Sequence, residues 1–215
     1  VGSELPSPST ETSTVTDQVL ITVENLTLPS DGARPLLDDI SFVIHRGEVL
    51  GIAGVEGNGQ AELVEAIMGM RPAVTGTVTL VDRDLSTLST RVRREAGIGY
   101  IPEDRQRHGL LLDAPLWENR VLGHQTREPN VNGIFIDKRA ARADTVRIIE
   151  EYDVRTPGPD VLARALSGGN QQKLIVGREM SGEPILLIAA HPTRGVDVGA
   201  QAAIWDQIKR ARREG

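Results

Sequence analysis

The stretch Leu50-Gly-Ile-Ala-Gly-Val-Glu-Gly-Asn-Gly-Gln-Ala-Glu-Leu63 constrains this chain more than any other. It is apolar and strand-prone up to Ala53, passes through Gly54, Gly57 and Gly59, and is helix-prone from Gln60 to Met68. A strand, a glycine loop and a helix N-terminus in that order form a phosphate cradle. Backbone N–H groups converge there, and the helix dipole favours an anion. The P-loop pattern for phosphate chemistry is G-x-x-x-x-G-K-[ST]. Gly54 and Gly59 fill its two glycines, but the next residues are Gln60 and Ala61. The lysine that would reach the terminal phosphates is replaced, and so is the hydroxyl that would hold magnesium. The cradle is kept and its chemistry is removed.

Composition narrows the setting. A chain of 215 residues is long enough to bury a core. It has no cysteine, which excludes a disulfide framework, a thiolate nucleophile and a zinc-thiolate site. A net charge of −6 argues against broad nucleic-acid binding. No apolar run approaches the ~20 residues that span a bilayer, so any membrane role needs another subunit to do the spanning. Val1 to Thr16 is rich in Ser, Thr and Pro, and residues 1–18 read as a disordered linker or tail, a hint that something precedes them.

The remaining pattern is α/β. Val19–Val23, Ile40–Ile44, Gly76–Val81 and Gly97–Ile101 read as strands, and Glu48–Ala53 and Ile185–Ala189 as buried parallel strands. Residues 106–165 change texture to a helical insert. Its longer helix, Asp137–Tyr152, has Asp137 as N-cap and an apolar side formed by Ala140, Ala143, Val146, Ile148 and Ile149. A last amphipathic helix runs from Gln201 to Arg213.

A second glycine turn, Leu166-Ser-Gly-Gly-Asn-Gln-Gln172, stands directly before a helix. Ser167 is a good N-cap, and paired glycines let backbone amides approach a phosphate closely. Together with the loop at Gly54–Gln60 and with Ile185–Ala190 followed by His191-Pro-Thr-Arg-Gly-Val-Asp197, this turn resembles the ATP-binding cassette of ABC transporters. In that resemblance the three stretches are Walker A, the LSGGQ signature (with Asn170 inserted before Gln171) and Walker B with its D-loop. It covers roughly Val19 to Arg213. Gly54–Gln60, Pro102-Glu-Asp-Arg105 and Ser167–Gln172 look like the second cassette of double-cassette importers for simple sugars and nucleosides, with the Gly-Asn-Gly-Gln wording nearer the nucleoside branch.

The resemblance implies a P-loop NTPase-like fold with a mainly parallel core sheet, an N-terminal antiparallel portion and a helical subdomain at about 106–165. It also implies a chain that stops before a final strand and a switch-loop histidine. Nucleotide-binding positions carry over to Gly54, Gly57, Asn58, Gly59, Gln60 and Ala61, and to Ser167, Gly168, Gly169 and Gln171. The departures carry the mechanism. Where Walker B has an aspartate for magnesium and then a water-polarising glutamate, this chain has Ala190 and His191. The Q-loop position offers Glu103, and residues 28–33 supply no aromatic for an adenine. No residue here is left as a catalytic group or a metal ligand.

Cassettes of this family work head to tail, each ATP lying between one Walker A loop and the other cassette's signature. The expectation is a degenerate half that lends an intact signature to ATP and Mg2+ held by a competent cassette fused upstream. Transmembrane permease subunits would be direct partners, and a periplasmic or lipoprotein substrate-binding protein an indirect one. The setting would be the cytoplasmic face of the cell membrane. Two other readings stay open: an active ATPase using Glu103 or His191, and a non-transport dimerisation module.

Overall fold

The computed structural model describes residues 13–214. Most of the expected linker, residues 1–12, lies outside the described residues. Near its end, the Thr14 hydroxyl donates to the Gly47 carbonyl at 2.9 Å and the Thr16 N–H to the Arg46 carbonyl at 3.0 Å. The chain divides into two compact units, one running up to residue 87 and resuming at 205, the other spanning residues 88–204.

The first unit is built on an antiparallel sheet in the order β2-β1-β3-β4, with β1 at Val19–Leu28, β2 at Leu37–His45, β3 at Thr75–Leu80 and β4 at Arg83–Asp84. β1 pairs on both sides: Val23 stands opposite Phe42 of β2 and Val78 of β3. A bulge between Val23 and Leu26, with Asn25 in a left-handed conformation, shifts the alternation by one residue. Ile21 and Val23 before it and Leu26 and Leu28 after it are therefore all buried, which uninterrupted period-2 alternation would forbid. Helix α1, Gln60–Ile67, buries Leu63, Ala66 and Ile67, one face at i, i+3, i+4 spacing.

The expected strand at Glu48–Ala53 does not form. The segment joins no ladder, and Ile52 is 55% exposed. Its composition is strand-like, but a strand exists through the hydrogen bonds of a neighbour, and among the described residues none pairs with it.

In the second unit, β5 (Ile98–Ile101) and β8 (Leu186–Ala189) form a parallel pair, with Ile98 opposite Leu186 and Ile101 opposite Ala189. β8 was expected to be buried along its length. It is half-buried to exposed, because among the described residues it pairs along one edge only. α2 (Thr90–Glu95) and α5 (Gly168–Met180) pack on β5, and α3 (Leu116–Val121) and α4 (Lys138–Glu151) complete the unit's helices, α4 packing on both α3 and α5. A small hairpin, β6 (Val131–Asn132) with β7 (Phe135–Ile136), precedes α4. Trp117 and Val121 of α3 pack on Ala141 of α4, and the Arg142 guanidinium lies 4.8 Å from the Trp117 ring centre.

Asp137 caps α4 as expected, accepting from the N–H groups of Arg139 at 3.0 Å and Ala140 at 2.9 Å. Ile148 is buried as expected, but Ala143 and Val146 are exposed, and the rest of the buried face of α4 is Ala141, Asp144 and Thr145. A buried ion pair sets it. Arg120 of α3 meets Asp144 at 2.8 Å, and Arg147 holds the other carboxylate oxygen. Gly177 lets α5 cross α4 closely, since a methyl built there would lie 2.7 Å from Ile148 and 2.9 Å from the Tyr152 ring. The last helix, α6, runs from Val198 to Glu214, three residues earlier than expected, because Asp197 accepts the Ala200 N–H at 2.9 Å and starts it.

Candidate functional site

Two glycine turns carry the candidate chemistry, one in each unit. In the first unit, Gly54 to Asn58 are exposed, with Val55 74% exposed. Asn58 N–H closes a turn onto the Val55 carbonyl at 3.2 Å. Gly57 and Gly59 have φ of +89° and +98°, which favours glycine at both. At Gly59 the approach to the Leu36 carbonyl adds a second reason: a methyl there would come within 3.0 Å of that oxygen. No side chain caps α1, so its first-turn amides have no side-chain acceptor. Gln60 folds back over the loop and donates from Nε2 to the Val55 carbonyl at 3.2 Å. That nitrogen crowds the place where a Gly54 side chain would begin. A neutral amide covers the cradle where a lysine charge would lie, and Ala61 beside it is exposed and without a donor atom.

The turn in the second unit is capped and braced. Ser167 Oγ accepts from the Asn170 N–H at 3.4 Å and from Asn170 Nδ2 at 3.0 Å. Gly168 and Gly169 follow at the helix N-terminus, half-exposed. Gln171 is turned inward rather than toward solvent: it is buried, and its Nε2 donates to the Ala163 carbonyl at 3.1 Å. Gln172, also buried, donates to the Pro192 carbonyl at 2.8 Å and so ties α5 to the loop after β8. Arg105 bonds that same loop through the Arg194 carbonyl at 2.8 Å.

Behind the turn, Glu179 of α5 is 2% exposed. Arg178 and Arg94 each approach it at 2.8 Å, and the Tyr100 N–H of β5 donates to it at 3.0 Å. Burial by itself would raise its pKa. The two guanidinium groups and the Tyr100 N–H outweigh burial and hold the carboxyl below its ordinary value. Arg178 also donates to the Gly109 carbonyl at 2.8 Å, fixing the short π-type turn at 105–109. Nearby, His124 is buried and its Nε2 has no hydrogen-bond partner. Burial first, and then the neighbouring Arg120, depress its pKa from 6.5 to about 3.

Two residues were expected at the Walker B positions, Ala190 and His191. Ala190 offers no oxygen. His191 is exposed in a left-handed backbone conformation, φ +47°. Glu103 is ion-paired to Arg194. Sequence reading missed Arg105, Gln172 and the Arg178–Glu179–Arg94 network. Apart from the adjacent Arg178–Glu179 pair, their partners lie 20 or more residues away, and only Arg105 and Gln172 stood inside motifs that gave a local signal.

The sequence profile of the family described as "ABC transporter" matches residues 37–194. The chain belongs to that family. Its fold is the ABC cassette fold, an α/β, P-loop NTPase-like arrangement with an antiparallel N-terminal sheet, a parallel sheet and helices. A nucleotide-free ATP-binding cassette from an ABC transporter superposes with a TM-score of 0.74 at 22% identity, over 92% of this chain and 79% of that one. A dimeric cassette in a post-hydrolysis state, bound to ADP and Pi, gives 0.75 at 19% identity, over 91% and 84%.

Among curated proteins, the guanosine import ATP-binding protein NupO of Bacillus subtilis is 45% identical, over 84% of this chain and 36% of its own length. The nucleoside import ATP-binding protein NupA of Lactococcus lactis is 38% identical, over 92% and 39%. The ribose import ATP-binding protein RbsA of Geobacillus kaustophilus is 36% identical, over 92% and 40%. The chain thus spans roughly two fifths of the length of these relatives.

ATP is the nucleotide this family implies, with magnesium. The phosphate cradle fits the first through its backbone. The donor set does not fit the second. Ala61 and Ala190 have no side-chain donor, and no group of three metal-ligating side chains occurs among the described residues. No helix among them is long and apolar enough to cross a membrane.

Proposed function

We propose that this chain is the catalytically degenerate cassette of a double-cassette importer for nucleosides or simple sugars, and that it works by lending its signature turn to ATP on a competent cassette. The observation that carries this is the opposition between the two turns. Gln60, Ala61, Ala190 and His191 replace the groups phosphoryl transfer depends on, while Ser167, Gly168 and Gly169 stand capped at a helix N-terminus. Gln171 and Gln172 hold that turn from behind. The backbone of Gly54 to Gln60 retains weak affinity for phosphates, since a nest of amides does not need a lysine.

In this reading the partner cassette, fused upstream, holds ATP and Mg2+. ATP closes the pair, and the Ser167 hydroxyl and the glycine amides complete the cage around the terminal phosphate. The helical elements at about 106–165 pass closure to the permease, and a substrate-binding protein delivers cargo on the far side. The assembly sits on the cytoplasmic face of the membrane. Similarity to nucleoside and ribose import proteins supports the cargo class, with nucleosides favoured by the 45% identity to a guanosine importer component.

The test is ATP turnover by the complete ATP-binding subunit, and by this cassette alone. The isolated cassette is expected to be silent. The subunit is expected to turn over ATP, and Ser167→Ala should abolish most of that. Turnover by the isolated cassette that disappears with Glu103→Gln or His191→Ala would overturn the reading.

A further inference from the structure

We infer that Arg105 is a positioning residue for the signature turn, a three-way clamp that sets where Gly168 stands relative to the loop after β8. The inference rests on the signature-donor reading and names the residue that makes it work.

Arg105 follows Asp104, whose carboxylate accepts from the N–H groups of Gln106 at 3.0 Å and Arg107 at 3.1 Å and so fixes the start of the 105–109 turn. From there the side chain reaches α5. Nη1 donates to the Arg194 carbonyl at 2.8 Å, Nη2 to the Gly195 carbonyl at 3.4 Å and Nε to Gln171 Oε1 at 3.4 Å. A methyl built on Gly168 would lie 2.6 Å from Nη2, so the guanidinium rests directly against the α-carbon of the first signature glycine. Gly195 adopts φ +67°, and a methyl there would also crowd Nη1 at 3.2 Å.

All three acceptors are neutral. Among the described residues, no carboxylate lies within ion-pair reach of Arg105. The group is therefore not there to neutralise an acid. Its bonds are geometric: a planar fork with donors in fixed directions ties one side chain and two main-chain carbonyls together. Neighbouring bonds reinforce these segments and also tie α5 to the turn at Ala163–Ala165. Glu103 pairs with Arg194, Gln172 with Pro192, and Gln171 with Ala163. A lysine supplies a point charge and cannot hold three acceptors in this arrangement.

The experiment is steady-state ATP hydrolysis by the complete ATP-binding subunit, comparing Arg105→Ala, Arg105→Lys, Ser167→Ala and the Arg105→Ala/Ser167→Ala double variant. Melting curves are recorded for each. Hydrogen exchange is followed at residues 166–172 and 192–195, which reports the clamp even where turnover is low. Arg105→Ala should lower kcat about tenfold while leaving KM for ATP within about twofold, because the nucleotide is held by the other cassette. Arg105→Lys should recover little of the loss. The double variant should be no worse than Ser167→Ala alone, since both act through one turn. Exchange should quicken in those two segments and nowhere else.

Full rescue by lysine would overturn the clamp in favour of simple charge. A loss that multiplies with that of Ser167→Ala, or that spreads through the melting curve and KM together, would show a merely structural arginine. Normal turnover of Arg105→Ala beside an impaired Ser167→Ala would sink this inference and leave the donor reading standing. An unimpaired Ser167→Ala would sink the donor reading itself, and the clamp's role with it.

Discussion

Two glycine turns open two helices in this chain, α1 after Gly59 and α5 after Ser167, and they are built in opposite ways. The first is exposed and uncapped, and is crossed by its own Gln60. The second is capped by Ser167, tied to the loop after β8 by Gln172 and backed by a buried Arg178–Glu179–Arg94 network. Both present amides at a helix N-terminus, so backbone geometry does not separate their roles. What separates them is where charged and hydrogen-bonding side chains are placed. In the proposed reading, a cradle without its lysine and hydroxyl touches a phosphate without acting on it. A turn braced from behind can offer its amides at a fixed position, which is what stabilising developing charge on another molecule's nucleotide requires.

The bracing can be broken outright. Glu179 is buried between two arginines and the Tyr100 N–H. Glu179→Ala leaves both guanidinium groups without their carboxylate and should destabilise the protein by about 3–5 kcal/mol, the usual result of removing one member of a buried pair. Urea unfolding measures it. Glu62→Ala in the first turn of α1, half-exposed and outside any such network, is the matched control and should stay within about 0.5 kcal/mol. Similar losses at both positions would erase the contrast between the two helices.

Function should divide the same way. Ser167→Ala is expected to cost about 100-fold in ATP turnover of the complete subunit, the order of magnitude for removing one oriented donor from a transition state. Gln60→Ala should change turnover less than about twofold, since no step in the proposed mechanism uses its amide. If the two variants exchange these results, the active site lies at the first turn and the assignment of roles is reversed.

Much of this was legible in sequence where the chemistry is local. Ser167 and Asp137 cap the helices they were expected to cap, because a cap is a bond to amides two or three residues away. The glycines of both turns were legible for the same reason. Interactions between distant segments were not. Arg105 bonds carbonyls 89 and 90 residues further on, and no local pattern encodes that. The face of α4 was legible only at Ile148, because periodicity treats an aspartate as a solvent residue, whereas Asp144 is buried by its pairing with Arg120. Glu48–Ala53 reads as a strand by composition alone, but composition cannot supply a pairing partner.

Acid should expose the network behind the second turn selectively. His124 faces Arg120, Glu179, Arg94 and Arg127, and its pKa is depressed to about 3 in the folded protein against 6.5 ordinarily. The folded state keeps it neutral, so below pH 6.5 the unfolded chain takes up a proton that the folded one does not. The contribution is complete above that pH and is lost progressively as pH falls toward 3. Between pH 7.5 and 5 the loss should be about 2 kcal/mol from this residue, before carboxylates begin to protonate. His124→Asn should flatten the stability profile over that interval. An unchanged slope would mean that His124 titrates freely and that its surroundings are open to water.

The smallest expected effect tests whether the first turn is silent only for want of side chains. Gln60→Lys replaces an amide folded onto Val55 with a cation that can reach an anion in the cradle. One charge-assisted contact of about 1.5 kcal/mol corresponds to roughly tenfold tighter nucleotide binding. A fluorescent ATP analogue titrated against the cassette reads this directly. Turnover by the isolated cassette should not appear, because Ala61, Ala190 and His191 still supply neither magnesium ligands nor a water-polarising carboxylate. Tighter binding without hydrolysis would place the difference between the turns in side-chain chemistry laid over a common backbone design. No gain in binding would place it deeper, in a loop whose amides no longer converge, and the exposed segment 49–53 leading into it, which joins no strand ladder, would be the physical cause.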